Sequence, residues 1–131
     1  MYYLNLVNNN YYSYMNKKET GSVGENIATE YLVKNGYKIL HTNWTCRWGE
    51  LDIIAQKKQN LAFFEVKTRS STYFGLPFEA ISFYKKRALL RAINNYIASL
   101  KVHPTEWTLD LLGVELTGNN YKLYHWEDLL N

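Results

Sequence analysis

The chain is poor in cysteine, has no long apolar run and carries none of the short motifs of nucleotide-driven or serine-nucleophile enzymes. Cys46 is the single cysteine among 131 residues, which excludes an internal disulfide framework and suits a reducing compartment. No stretch approaches the ~20 consecutive apolar residues that a membrane-spanning helix needs. The opening residues, MYYLNLVNNNYYSYMNKK, lack the basic region and continuous apolar core of a signal peptide. A soluble, cytoplasmic protein with no membrane partner is therefore expected. His41, His103 and His125 lie too far apart in sequence for zinc-ligand spacing. Neither GxxxxGK[ST], GxGxxG nor GxSxG occurs, and Cys46 has no obvious histidine partner. The formal charge of +3 points only weakly to an anionic partner, so the placement of the charges matters more than their sum.

What is present reads as one domain, long enough to bury roughly two thirds of its unfolded surface. Residues 1–20 form a leader rich in Tyr and Asn without a period. Composition leaves open whether it is disordered or an extra packed segment. The folded domain is expected over residues 21–131. A first helix is expected from about Val23 to Asn35, with Ile27, Ala28, Tyr31 and Leu32 on one face. Ser22-Val-Gly-Glu25 fits a capping box, and Gly36 is a natural stop. Strands follow near Tyr37 to Thr42, Leu51 to Gln56 and Leu61 to Thr68, the last two joined by a hairpin-length QKKQN. RSSTYFGLPF reads as a loop, and a long helix then runs from Glu79 or Phe83 to Leu100. TLDLLGVEL and YKLYHW make a second hairpin. The fold class is α/β, an α+β mixed sheet with helices packed on it.

Three ionisable residues interrupt otherwise apolar strands: Asp52 in LDIIA, and Glu65 and Lys67 in LAFFEVKT. An unpaired buried charge costs several kcal/mol or neutralises, so these positions need an explanation. Strand alternation puts Glu65 and Lys67 on one face, about 6.6 Å apart. If the hairpin register brings Asp52 to that face, two carboxylates and an ammonium converge. That set suits a hard divalent cation such as Mg²⁺, which takes oxygen ligands and would polarise a phosphodiester and make hydroxide available near neutral pH. Lys67 would hold the attacking water or stabilise developing charge.

Bland readings compete with this one. A Glu-x-Lys pair is often a solvated strand edge, and Asp52 could bridge to Arg47 or Lys67. Glu25 reads first as the third residue of its capping box and second as a carboxylate delivered beside the hairpin. Glu50 is assigned to the opposite strand face, as a surface or salt-bridge residue. Asp110 is a structural carboxylate left outside the site. Lys85, Lys86, Arg87 and Arg91, with Arg47, Arg69, Lys57 and Lys58, could contact phosphates or simply be solvated. Tyr73 and Phe74 could stack on bases or anchor their loop. Trp44 and Trp48 read as packing residues around a turn.

The series Gly24-Glu25…Ala28…Tyr31-Leu32…Gly36-Tyr37-Lys38-Ile39-Leu40…Asn43, then Gly49-Glu50-Leu51-Asp52-Ile53-Ile54-Ala55, Phe64-Glu65-Val66-Lys67-Thr68-Arg69, Phe74-Gly75-Leu76-Pro77-Phe78-Glu79-Ala80 and Lys85 resembles the YraN-like family. These are small bacterial proteins related to archaeal Holliday-junction resolvases. The resemblance covers roughly residues 21–126. It implies the restriction-endonuclease-like fold of the PD-(D/E)xK superfamily, with Leu51 in place of the nominal proline. It further implies Asp52, Glu65 and the Val66 carbonyl as ligands of Mg²⁺ or Mn²⁺, Lys67 as the catalytic lysine, and Glu25 as a site member. Arg47, Arg69, Lys85 and Lys86 are the expected nucleic-acid contacts. The expected function is metal-dependent hydrolysis of DNA, with branched or Holliday-junction DNA as the candidate substrate and a homodimer as the candidate assembly. The alternative is a non-catalytic nucleic-acid-binding module that retains the fold.

Overall fold

In a computed structural model, residues 2–6, 16–70, 81–118 and 120–130 are described. In chain order they form β1 (Tyr2–Leu6), α1 (Lys17–Lys34), β2 (Lys38–Cys46), β3 (Gly49–Lys57), β4 (Asn60–Ser70), α2 (Phe83–Ala98), β5 (Trp107–Thr117) and β6 (Asn120–Trp126). The strands make one mixed sheet in the order β1-β6-β5-β4-β3-β2. All neighbours are antiparallel except β4 and β5, which run parallel. A parallel pair cannot be joined by a tight turn, and the segment containing α2 makes the crossover.

The central strands are apolar on both faces because a helix covers each one. On one face Ile27, Ala28, Tyr31 and Leu32 of α1 pack on Ile53, Phe64, Leu112 and Val114. On the other, Leu89, Ala92, Ile93 and Tyr96 of α2 pack on Ile54, Phe63, Leu109 and Leu111. The mixed α/β class expected from the sequence is the class observed. Both expected hairpins are present, with Lys57 opposite Asn60 and Thr117 opposite Asn120. Among the described residues, no helix is long and apolar enough to cross a membrane.

Several local expectations are corrected. The capping box is not at Ser22 and Glu25 but nearer the chain start. Asn16 accepts from the Glu19 amide at 2.9 Å, and the Glu19 carboxylate accepts from the Asn16 amide at 3.3 Å. Helix α1 therefore begins at Lys17, and Glu25 lies in its interior with no capping duty. The aperiodic opening, for which the sequence leaves both a disordered leader and an extra packed segment open, contributes β1, whose Tyr2–Leu6 run pairs with β6 at the sheet edge. Gly36, at φ +89°, ends the helix as expected. Residues 71–80, where the sequence predicts a loop, including Tyr73, Phe74 and the FGLPFEA motif, lie outside the described residues.

Gly24 fixes how closely α1 approaches the sheet. A Cβ at this position would overlap the Thr68 side chain on β4. The missing side chain lets the helix backbone settle onto the strand, and so brings the neighbouring Glu25 to the sheet.

Candidate metal centre

The pairing of β3 with β4 runs from the hairpin as far as Ile53 opposite Phe64. Beyond that point the Asp52 carboxylate replaces backbone pairing: its Oδ2 accepts the Val66 amide at 2.8 Å. This bond anchors Asp52 where β3 parts from β4. Strand β2 closes the other side, and Asn43 lies between the registered pairs Thr42–Ile53 and Trp44–Leu51, across from Asp52. Asn43 adopts φ +51°, a left-handed conformation that asparagine tolerates, and its Nδ2 donates to Glu25 Oε2 at 3.2 Å. A helix and two strands thus converge on one point.

Carboxylate oxygens of Glu25, Glu50 and Asp52 all lie within 4.8 Å of one another. Like charges this close cannot all ionise freely. Asp52 shows it: its carboxyl is pushed up to about 7 from an ordinary 3.8, first by burial and then by the charge of Glu65. The Val66 amide opposes the rise, and Glu25 and Glu50 add to it. A proton or a cation at Asp52 relieves this repulsion.

Glu65 is buried in β4, and its oxygens have unequal surroundings. Oε1 pairs with Lys85 Nζ at 3.4 Å, while Oε2 is buried with no hydrogen-bond partner among the described residues. A buried carboxylate oxygen without a donor is unusual, since most such atoms are satisfied. It is a free ligand position for a hard cation. Lys67, half-buried two residues along the strand, forms no ion pair with a carboxylate among the described residues.

Of the expected set, the structure groups Asp52 and Glu25 and adds Glu50, while Glu65 lies outside that 4.8 Å group and acts on Asp52 through its charge. Assigning Glu50 to the opposite face misread the pleat, because residues two apart on a strand share a face. Lys85, expected as a DNA contact, instead stands against Glu65 from the first turn of α2. Arg69 pairs with Glu115, its register partner on β5, at 3.8 Å. Lys86 is half-buried on α2, and Arg47 is exposed in the β2–β3 turn with its guanidinium 4.6 Å from the centre of the Trp48 ring. Asp110 sits apart from this centre in a buried chain, its Oδ2 2.7 Å from His125 Nε2, with His125 Nδ1 2.9 Å from the Tyr31 hydroxyl.

A family profile described as "Uncharacterised protein family UPF0102" matches residues 24–122. The chain belongs to this family. It is the YraN-like family that the sequence motifs resemble. This UPF0102 chain is 44% identical over 117 residues to UPF0102 protein TTE1452 of Caldanaerobacter subterraneus subsp. tengcongensis, covering 89% of this chain and 96% of the relative. A UPF0102 protein of Alkaliphilus oremlandii is 41% identical over 116 residues, covering 87% and 98%. UPF0102 protein FP2501 of Flavobacterium psychrophilum is 41% identical over 110 residues, covering 84% and 92%. The UPF0102 span contains Glu25, Glu50, Asp52, Glu65, Lys67 and Lys85, so the acidic cluster lies wholly inside the family region.

Proposed function

We propose that this UPF0102 protein is a metal-dependent endonuclease that hydrolyses DNA phosphodiesters, with branched or junction DNA as its candidate substrate. The observation that carries the reading is the combination of crowded carboxylates at Glu25, Glu50 and Asp52 with the unpartnered buried Oε2 of Glu65. An oxygen-only set with excess negative charge fits Mg²⁺ or Mn²⁺ and does not fit a soft metal. Asp52 and Glu65 would hold the ion, with the Val66 carbonyl beside them and Glu25 and Glu50 completing its surroundings. Bound there, a divalent ion supplies positive charge to the phosphodiester and lowers the pKa of the attacking water. Lys67 holds that water or meets the charge that develops on the phosphate. Lys85 keeps the Glu65 carboxylate in place through its other oxygen.

The order of acidic and basic residues on these strands is like that of the PD-(D/E)xK nucleases, and this supports the chemistry by analogy. A four-way junction offers two symmetric scissile strands, so a homodimer belongs to the same proposal. The test is cleavage of linear duplex, single strand, flap and four-way junction with Mg²⁺, with Mn²⁺ and with chelator. Cleavage that needs both metal and Asp52, and is absent in Asp52→Asn, supports the enzyme. Tight DNA binding without cleavage in any metal would refute it in favour of a binding module.

A further inference from the structure

Next to the acidic cluster lies a surface of opposite character. The β2–β3 turn carries Arg47 and Trp48, immediately before Glu50 and Asp52. Helix α2 opens with Phe83 and Tyr84, immediately before Lys85. Tyr84 is 81% exposed, Phe83 67% and Trp48 39%, so three large rings face solvent on segments that lead directly into Glu50 and Lys85. Exposed aromatic residues are normal singly, but a contiguous group marks an interaction site.

Helix geometry explains the grouping. Tyr84, Arg87, Ala88 and Arg91 fall at helical spacings of three and four, and with Trp48 they line a cleft of about 240 Å³. The buried stripe of Leu89, Ala92, Ile93 and Tyr96 takes the other side of the same helix to the core. Guanidinium groups are interleaved with the rings: Arg47 lies 4.6 Å and Arg91 5.1 Å from the Trp48 ring centre, and Arg87 lies 5.7 Å from that of Phe83. Among the described residues none of these three arginines is paired with a carboxylate.

We propose that this patch is a stacking platform for unpaired nucleobases, which makes the preferred substrate a strand with unpaired nucleotides beside the scissile phosphate. The proposal rests on the nuclease reading for its place in catalysis, but its binding claim stands independently. The occupant follows from the chemistry. The Tyr84 and Phe83 rings, the most exposed of the three, offer faces to bases of any sequence, while the guanidiniums over Trp48 and beside Phe83 offer charge to the intervening phosphates. A paired duplex hides its base faces and could use only the arginines. A protein partner would have to bring acidic groups for all three guanidiniums as well as an apolar surface for the rings. One unpaired strand supplies both.

The test is metal-free fluorescence anisotropy of the full chain with a labelled oligothymidylate and with a duplex of equal length. Binding in chelator separates this claim from cleavage. Tyr84→Ala and Phe83→Ala are both surface changes that leave the core intact. Each should weaken single-strand binding about tenfold, the scale of one lost base–aromatic stack, and change duplex binding by less than about twofold. Tyr84→Phe keeps the ring and should restore most of the affinity. Arg87→Ala should lower the slope of log affinity against log salt by about 0.7. Unchanged single-strand binding in both alanine variants would overturn the platform, even if the protein cleaves DNA. Ring-dependent single-strand binding without cleavage would uphold the platform while the nuclease reading fails.

Discussion

Replacing Asp52 by asparagine should stabilise the metal-free protein, which is the reverse of what removing a buried charge from a satisfied network does. The carboxyl titrates near 7 in the folded state and near 3.8 otherwise. Because the folded state holds the proton more tightly, Asp52 costs nothing below about pH 3.8, and its cost grows through the interval up to about 7. Stability therefore falls as pH rises across that window and levels off above it. The shift of about three pKa units corresponds to about 4 kcal/mol at most, at 1.36 kcal/mol per unit. Asparagine removes this penalty but weakens the bond from the Val66 amide, which returns about 1 kcal/mol. The net gain at about pH 8 is on the order of 2–3 kcal/mol, or about 10 °C in Tm for a chain of this size. Near pH 5 most of the penalty is absent, and the gain should fall below about 1 kcal/mol.

Divalent metal should invert the order. Wild-type protein at a Mg²⁺ concentration of about 100 Kd gains ~2.7 kcal/mol by mass action. The variant gains little, because the asparagine side chain offers no charge to the ion. Thermal unfolding of both proteins, in chelator and in Mg²⁺ at several pH values, measures all four quantities. If Asp52→Asn is less stable than wild type in chelator near pH 8, the carboxylates are neutralised within the protein and the metal argument collapses.

Three further outcomes follow from other contacts. Gly24→Ala forces a Cβ into Thr68 and should cost about 1–3 kcal/mol in chemical denaturation, with a loss of metal-induced stabilisation as Glu25 is displaced. Lys85→Met leaves the buried Glu65 carboxylate without its cation and should cost about 1–3 kcal/mol in chelator, while depressing cleavage strongly by freeing that carboxylate; equal activity in the two proteins would remove Lys85 from the site. Tyr31→Phe leaves the buried His125 Nδ1 without its partner and should cost about 1–3 kcal/mol, read by urea unfolding, with cleavage and metal binding unaltered.

The legible part of the structure was the part written in period and punctuation. The α2 stripe, the two hairpins and the apolar central strands follow from spacing and turn residues. Asp52, Glu65 and Lys67 stood out because they break apolar runs. Less legible were features decided by partners distant in sequence. Ser22 and Glu25 have capping-box spacing, but Asn16 and Glu19 have it too, and the helix takes the earlier pair because its first turns also pack. Nothing local distinguishes β1 from a tail, because its pairing depends on β6, near the other end of the chain. Glu50 was within reach, since period two places it with Asp52. The role of Lys85 required knowing that the crossover returns α2 to the end of β4 where Glu65 lies.

Charge balance favours the proposed cation site over a structural ion network. Glu25, Glu50, Asp52 and Glu65 act on one another closely enough that three of them raise the fourth. Against them, among the described residues, stands one ion-paired cation, Lys85, and it meets only Glu65. A structural ion network is built to cancel, with each buried charge facing its opposite, because an uncompensated buried charge is strongly destabilising. Among the described residues the negative charge is left over, and one buried oxygen of Glu65 is without a donor. A protein core gains nothing from such a surplus, since apolar residues of similar volume would pack at no electrostatic cost. In the proposed reading a divalent cation completes this surplus, and the raised titration of Asp52 is the strain of a site held ready for that charge.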